Sequence, residues 1–264
     1  MLAIGLLLAN AAGAADAIRV GGNGAGTMLL QRVVPEFVRA HPEAQMNVIG
    51  NLGSNGGLKA LAAGALDVAV IAKPLGAEER SRGFVEIPLG RSPLVFASTK
   101  EHPGLTLKEV AAIFRGDVTT WPDGSLVRLV LRPKTDSETA DLRAMSPEMD
   151  GAVSAAFGRP GTVLATTDPE AAEALEKVPG SLGTTSLGVI MMDSRGLRAI
   201  RLNGVEPSLK NLESGQYPYS RALYLVIPAK PARGVSELLQ FLRSPPGRNL
   251  LASLGFLPAE SSGR

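Results

Sequence analysis

Between Ala17 and Ala72 short apolar runs alternate with amphipathic ones, and this alternation constrains the fold of the 264-residue chain more than any other feature. Residues 18–20 read as a short strand, 21–27 as a glycine-rich loop, and 28–39 as a helix with Leu29, Leu30, Val33, Val34, Phe37 and Val38 on one face. Residues 45–49 give a second strand. Gly53-Ser54-Asn55-Gly56-Gly57 then forms a turn before a helix carrying Leu58, Leu61 and Ala62. Residues 67–72 are almost wholly apolar, which predicts a strand buried on both faces of a parallel sheet. Two strand–loop–helix units in succession predict an α/β fold whose loops at the carboxyl ends of the strands converge on one crevice.

The chemistry of those loops follows from helix geometry. A helix leaves its first N–H groups unpaired, with the positive end of its dipole behind them, so a glycine-rich turn that lets a ligand come close makes an anion seat. At the Gly53 turn Ser54 adds a hydroxyl; simple capping of the helix by Ser54 or Asn55 is the alternative. A junction of the same kind follows the strand of residues 126–131. There Arg132 offers a planar fork of donors, and Ser137 and Thr139 stand where the next helix begins. Junctions at Thr27, Ser54 and Ser137 thus predict a small oxyanion held by directed hydrogen bonds.

Other chemistries find little support. Gly22-Asn23-Gly24-Ala25-Gly26 lacks the spacing of a dinucleotide fingerprint, and Asn47 and Asn51 stand where an acidic ribose ligand would be needed. His41 and His102 each precede a proline and have no motif partner. Ser54 is not in a nucleophile elbow, and no metal-ligand spacing appears, so we expect neither an enzyme, a metal nor a cofactor. The net charge of +2 and an aromatic content of 4% argue against nucleic acid as a partner. Absence of cysteine excludes disulfides and thiolate sites. Residues 2–9 are apolar and are followed by Ala-rich small residues before Asp16, the pattern of an export signal ending near residue 15, although it lacks a basic start.

Further along, residues 85–89 and 93–98 read as a strand pair broken at Gly90 and Arg91, and 105–114 as a helix opened by Thr106. Residues 171–178 read as helical, 188–192 as extended, 222–227 as a strand, and 235–243 and 247–254 as closing helices.

The ordered series Gly24-Ala25-Gly26-Thr27, Gly53-Ser54-Asn55-Gly56-Gly57, Asp67-Val68-Ala69-Val70-Ile71-Ala72-Lys73-Pro74-Leu75, Ile113-Phe114-Arg115-Gly116-Asp117 running to Trp121, Tyr217-Pro218-Tyr219-Ser220-Arg221 and the closing Phe241 to Pro258 resembles a known family. It is similar to the phosphate-type substrate-binding proteins of ATP-binding-cassette importers, in the periplasmic binding protein type 2 superfamily. The resemblance implies two α/β lobes joined by crossing strands near residues 88–98 and 220–227, with the solute clamped between them. Lobe I would comprise residues 16–90 and 225–264, lobe II residues 91–224, and residues 1–15 the signal peptide.

The resemblance also implies a site. Gly26, Thr27 and Met28 match the first loop, Ser54 and Asn55 the second, and Arg132, Ser137, Glu138 and Thr139 the family's R-S-D-G-S-G-T segment. That segment reads Arg132-Pro133-Lys134-Thr135-Asp136-Ser137-Glu138-Thr139 here, one residue longer and with Glu138 in place of glycine. Ala72 replaces an aspartate that accepts the phosphate proton, and Met28 replaces an aromatic residue. Glu138 near the anion would either take over the acceptor role or repel a dianion. The implied protein is exported, periplasmic and monomeric. It would capture a small oxyanion, phosphate foremost, for a membrane permease. The alternatives are another anion or small polar metabolite, or a sensory module that signals to a membrane partner.

Overall fold

The computed structural model describes residues 17–50, 52–193 and 196–260, so the expected signal segment lies outside the described residues. Strands β1 (Ile18–Gly22), β2 (Met46–Ile49) and β3 (Val68–Ile71) alternate with helices α1 (Gly24–Ala40) and α2 (Gly53–Ala62). After α3 (Ala77–Ser81) the chain runs through β4 (Phe84–Ser98), α4 (Leu107–Arg115), β5 (Arg128–Leu131), α5 (Ser137–Ala144) and α6 (Pro147–Ala156). Then come β6 (Val163–Leu164), α7 (Asp168–Lys177), β7 (Ser181–Ser186), α8 (Leu187–Asp193), β8 (Arg198–Ala199) and α9 (Leu209–Glu213). Strand β9 (Ser220–Pro228), helices α10 (Arg233–Arg243) and α11 (Pro245–Ser253), and β10 (Leu257–Pro258) complete the described chain.

The strands lie in the order β2-β1-β3-β9-β4-β7-β5-β6. β1 pairs in parallel with both β2 and β3, as the alternation predicts, and every residue of β3 is buried. The two lobes come from a change of partner within β4. Its residues from Phe84 to Pro93 run antiparallel to β9, whereas Leu94 to Ala97 run antiparallel to β7. Tyr217 is buried at that switch and its hydroxyl donates to the Leu94 carbonyl at 2.7 Å. β4 and β9 are therefore the crossing strands. The predicted break at Gly90 is not a chain reversal but a register shift between Pro88 and Gly90 in one long strand.

The lobes also meet away from these strands. α1 packs on α7 and α8, one apolar cluster joins Leu29, Val33 and Phe37 to Ala172, Leu175, Val189 and Met192, and Arg32 Nη2 donates to the Met192 carbonyl at 2.7 Å. A second cluster around Phe96, Phe114, Trp121 and Tyr217 fills the other lobe.

Three local expectations are corrected. The first glycine run is not a loop before a helix at Met28: α1 begins at Gly24, because Asn23 caps it by accepting from the Gly26 N–H at 3.1 Å. The second likewise winds into α2 from Gly53. Residues 188–192 are not extended but lie in α8, where the Ser186 hydroxyl accepts from the Val189 N–H and Gly188 lets the Phe256 ring approach. A short apolar run does not by itself distinguish strand from buried helix.

Candidate functional site

The ends of β1, β3 and β5 and the starts of α2, α5 and α7 enclose one cleft of about 640 Å³ between the lobes. Asn23, Gly24, Ser54, Asn55 and Lys73 line it on one side, and Arg132, Asp136, Ser137, Asp141 and Asp168 on the other. Ser54, Asn55, Arg132 and Ser137, expected from the sequence, thus come together. Gly26, Thr27, Met28, Glu138 and Thr139 are not among its lining residues.

The reasons differ from residue to residue. Gly26 packs against β3, where an added Cβ would stand 2.3 Å from Val70 Cγ2. Thr27 is buried and its hydroxyl donates to the Gly24 carbonyl at 2.9 Å, so it completes a helix turn. Met28 packs against the interlobe apolar cluster. Thr139 is buried and its hydroxyl faces the Arg132 and Pro133 carbonyls. Glu138 turns away from the cleft: one carboxylate oxygen accepts from the Thr184 hydroxyl at 2.8 Å and the other from Arg221 Nη1 at 2.7 Å. Neither role expected of Glu138 beside a ligand, acceptor or repeller by direct contact, fits that orientation.

Four helix starts, those of α1, α2, α5 and α7, border this region, and the chain treats the first three differently. At α1 the Asn23 cap is joined by Asp168, whose Oδ2 accepts from the Ala25 N–H and from Asn23 Nδ2, each at 3.3 Å. At α5 Asp136 accepts from the Glu138 N–H at 2.8 Å while its other oxygen accepts from Arg132 Nη2 at 2.9 Å. Among the described residues no side-chain hydrogen bond caps α2, whose N-cap is Leu52. Its first amides remain donors, and they lie in the cleft wall at Gly53, Ser54 and Asn55.

The hydroxyls are oriented to match. Ser54 Oγ accepts from the Ala72 N–H at 3.2 Å, and Ser137 Oγ accepts from Arg221 Nη2 at 3.0 Å. With a lone pair taken by a protein donor, each O–H is left to donate elsewhere. Arg132 is only 6% exposed; Nη1 donates to the Ala165 carbonyl at 2.9 Å, while Nε has no acceptor among the described residues. A buried guanidinium N–H without a partner is an unusual expense, and such groups ordinarily find one.

Sequence reasoning missed Arg221 and Asp168 as site residues. Arg221 is 4% exposed and stands on β9, with Nη1 2.7 Å from Glu138 Oε2 and 2.8 Å from Asp168 Oδ1, and with Nε 3.5 Å from Asp141 Oδ2. Burial pushes the Glu138 carboxyl up to about 7, with Arg221 pulling it down and the Asp168 charge pushing it further up. Burial also opposes ionisation of Asp168, but Arg221 and Arg132 outweigh it and hold that carboxyl below the usual range. Burial disfavours charge on Arg221 too, yet the facing Glu138 and Asp168 raise its pKa above the ordinary arginine value. The available signals were an arginine in an otherwise apolar strand and Thr167-Asp168-Pro169-Glu170 as a helix opening, with Thr167 accepting from the Glu170 N–H.

Residues 9–246 match the family model for the PBP superfamily domain. The chain is 26% identical over 254 residues to protein SphX of Synechococcus elongatus, covering 86% of this chain and 73% of that one. It is 20% identical over 257 residues to the phosphate-binding protein PstS of Bacillus subtilis, covering 93% and 81%. Among solved structures, a Clostridium perfringens protein assigned as a phosphate ABC transporter substrate-binding protein, with phosphate bound, superposes with a TM-score of 0.76. That alignment has 16% identity and covers 93% of this chain and all of that one, which shows a shared fold.

Proposed function

Because the chain belongs to the PBP superfamily, we propose that it is an extracytoplasmic solute-binding protein that captures a small oxyanion, phosphate foremost, for the permease of an ABC importer. One observation carries this reading: the start of α2, which no side chain caps among the described residues, faces Arg132 and Ser137 across a single cleft. Amide, hydroxyl and guanidinium donors on opposite walls are what a desolvated oxyanion requires, and they hold it without acting on it chemically. Gly53, Ser54, Asn55, Arg132 and Ser137 are the contacts in this reading. Residues 16–90 with 225–264 form lobe I, 91–224 form lobe II, and 1–15 serve as the export leader. The name of the PstS relative, a phosphate-binding protein, supports the class of solute, and that of the Clostridium perfringens structure, a phosphate ABC transporter substrate-binding protein, supports the transport role.

A second reading draws on the cleft itself. Its volume of about 640 Å³ falls in the range of about 300–1,000 Å³ typical of sites for organic ligands. Asp136 and Asp141 stand beside the donors, and carboxylates accept from ligand O–H or N–H groups. An organic anion that also carries donors, such as a phosphate monoester, uses both features.

Thermal denaturation with phosphate, sulfate and small phosphate esters separates the readings. A solute at a hundred times its Kd stabilises the protein by about 2.7 kcal/mol. Calorimetry with Arg132→Gln then locates the site: the expected result is loss of binding in a protein that still unfolds cooperatively. If none of these anions shifts the transition, the oxyanion reading is wrong.

A further inference from the structure

We infer that Asp168 is a built-in anion which fills the α1 terminus and so determines which solutes the cleft admits, a step that rests on the oxyanion reading above. The side chain is 3% exposed and bridges the lobes from the first position of α7. Oδ1 accepts from Arg221 Nη1 at 2.8 Å, and Oδ2 accepts from the Ala25 N–H and Asn23 Nδ2 at 3.3 Å. A guanidinium, a helix-terminal amide and a carboxamide are the donors a solute oxyanion would take. Here they are engaged by the protein.

The fit of the first loop around this carboxylate is a separate observation. A Cβ placed on Gly24 would stand 2.8 Å from Asp168 Oδ2 and 2.9 Å from Pro169 Cδ, so glycine is required for α7 to dock. The close approach that a glycine-rich turn permits is therefore used by another part of the same chain.

Two consequences follow. A captured solute is held from the α2 side and by Arg132 and Ser137, without the first loop. It also meets the fixed negative charge of Asp168, beside Asp136 and Asp141 on the same wall. Arg221 offsets this only in part, because its one positive charge is shared between Glu138 and Asp168. Wild-type protein accordingly disfavours a second charge on its ligand.

Phosphate titrations at a fixed pH of about 8, where the dianion predominates, test this with Asp168→Asn, Asp168→Ala and Asp168→Glu. Asp168→Asn keeps the shape and removes the charge, Asp168→Ala also vacates the seat, and Asp168→Glu retains the charge as a control. We expect phosphate Kd to fall at least tenfold in the first two and not in the third. If wild type binds phosphate and neither neutral variant binds it more tightly, the role of Asp168 is refuted while the oxyanion reading survives. If wild type shows no binding but a neutral variant does, Asp168 excludes the dianion as argued and the phosphate reading of the natural protein fails. No binding by any of them refutes both. Circular dichroism checks folding, and if both neutral variants fail to fold, the carboxylate is structural and the proposal falls.

Discussion

The starts of α1 and α2 look alike in sequence, each a glycine-rich turn after a strand of the same sheet, and the chain uses them in opposite ways. The first turn of α1 is buried, capped by Asn23, and closed over by Asp168 from the other lobe. At α2 no side chain caps the helix among the described residues, and a Cβ added to Gly53 would meet nothing within 4 Å. Glycine at such a junction therefore encodes close approach without specifying what approaches. At α1 it is a carboxylate of the protein; at α2 the space belongs to the cleft. The difference also divides the labour between positions that hold the lobes together and positions left to a solute.

The largest effect is expected where the α1 side is held. Arg221→Met leaves Glu138 and Asp168 buried beside one another without their shared cation, and breaking a buried ion pair in this way costs about 3–5 kcal/mol. Urea denaturation should show the midpoint falling accordingly. A variant as stable as wild type would mean that the triad does not secure the α1 terminus.

Next comes the acid within that triad. Folded Glu138 releases its proton near 7, against a reference of 4.5 when unfolded, so between those values the native state keeps a proton that the unfolded chain has lost. Stability must fall as pH rises through that window, by on the order of 3 kcal/mol. Asp168 acts with the opposite sign and in another range: its lowered pKa contributes stability above the usual 3.8, and this is lost only as pH falls further. Glu138→Gln should therefore flatten the profile between about pH 5 and 7 and leave the acid limb intact. Parallel profiles for the two proteins would remove Glu138 as the titrating group.

A third change makes α2 resemble α1. Asn55→Asp places a carboxylate in the first turn of the open helix, which favours the helix by about 0.3–1 kcal/mol. The same charge competes with a solute anion for the amides, so affinity should drop at least about tenfold, or 1.4 kcal/mol. Calorimetry and thermal denaturation should move in opposite directions. Affinity unchanged in a stabilised protein would show that solute does not use α2.

Much of this frame was legible before any coordinates. The alternation over residues 17–72 gave β1, β2 and β3 with their parallel pairing, because a uniformly apolar β3 is compatible only with burial on both faces. The Gly53 turn, Arg132 and Ser137 were legible as a donor set because each follows a strand and opens a helix. What the sequence hid was nonlocal. Asp168 and Arg221 are 53 positions apart, and nothing in the chain near either one says that they meet. Likewise Glu138 faces Thr184 and Arg221 instead of the cleft because of what packs behind α5, which helix periodicity does not contain. The true starts of α1 and α2 were obscured by glycine, whose low helix propensity reads as loop; at α1 packing against Asp168 and Val70 demands residues without a side chain, and at α2 the φ of +64° at Gly53 does.

The smallest effect is the sharpest discriminator between the two junctions. Thr27 is the first-loop hydroxyl that the family resemblance assigns to the ligand, yet its Oγ1 donates to the Gly24 carbonyl and it is 3% exposed. Thr27→Val keeps the branched shape and removes that hydrogen bond. The expected cost is about 1 kcal/mol of stability, with phosphate Kd unchanged within roughly the twofold error usual for such contacts. Ser54→Ala, compared in the same titration, removes a hydroxyl from the cleft wall and should weaken binding by several times that margin. If instead Thr27→Val weakens binding as strongly as Ser54→Ala, α1 opens to the solute in the capturing state. Asp168 must then leave its seat when the solute arrives, and the two helix starts would differ in timing, with both serving the ligand in the end.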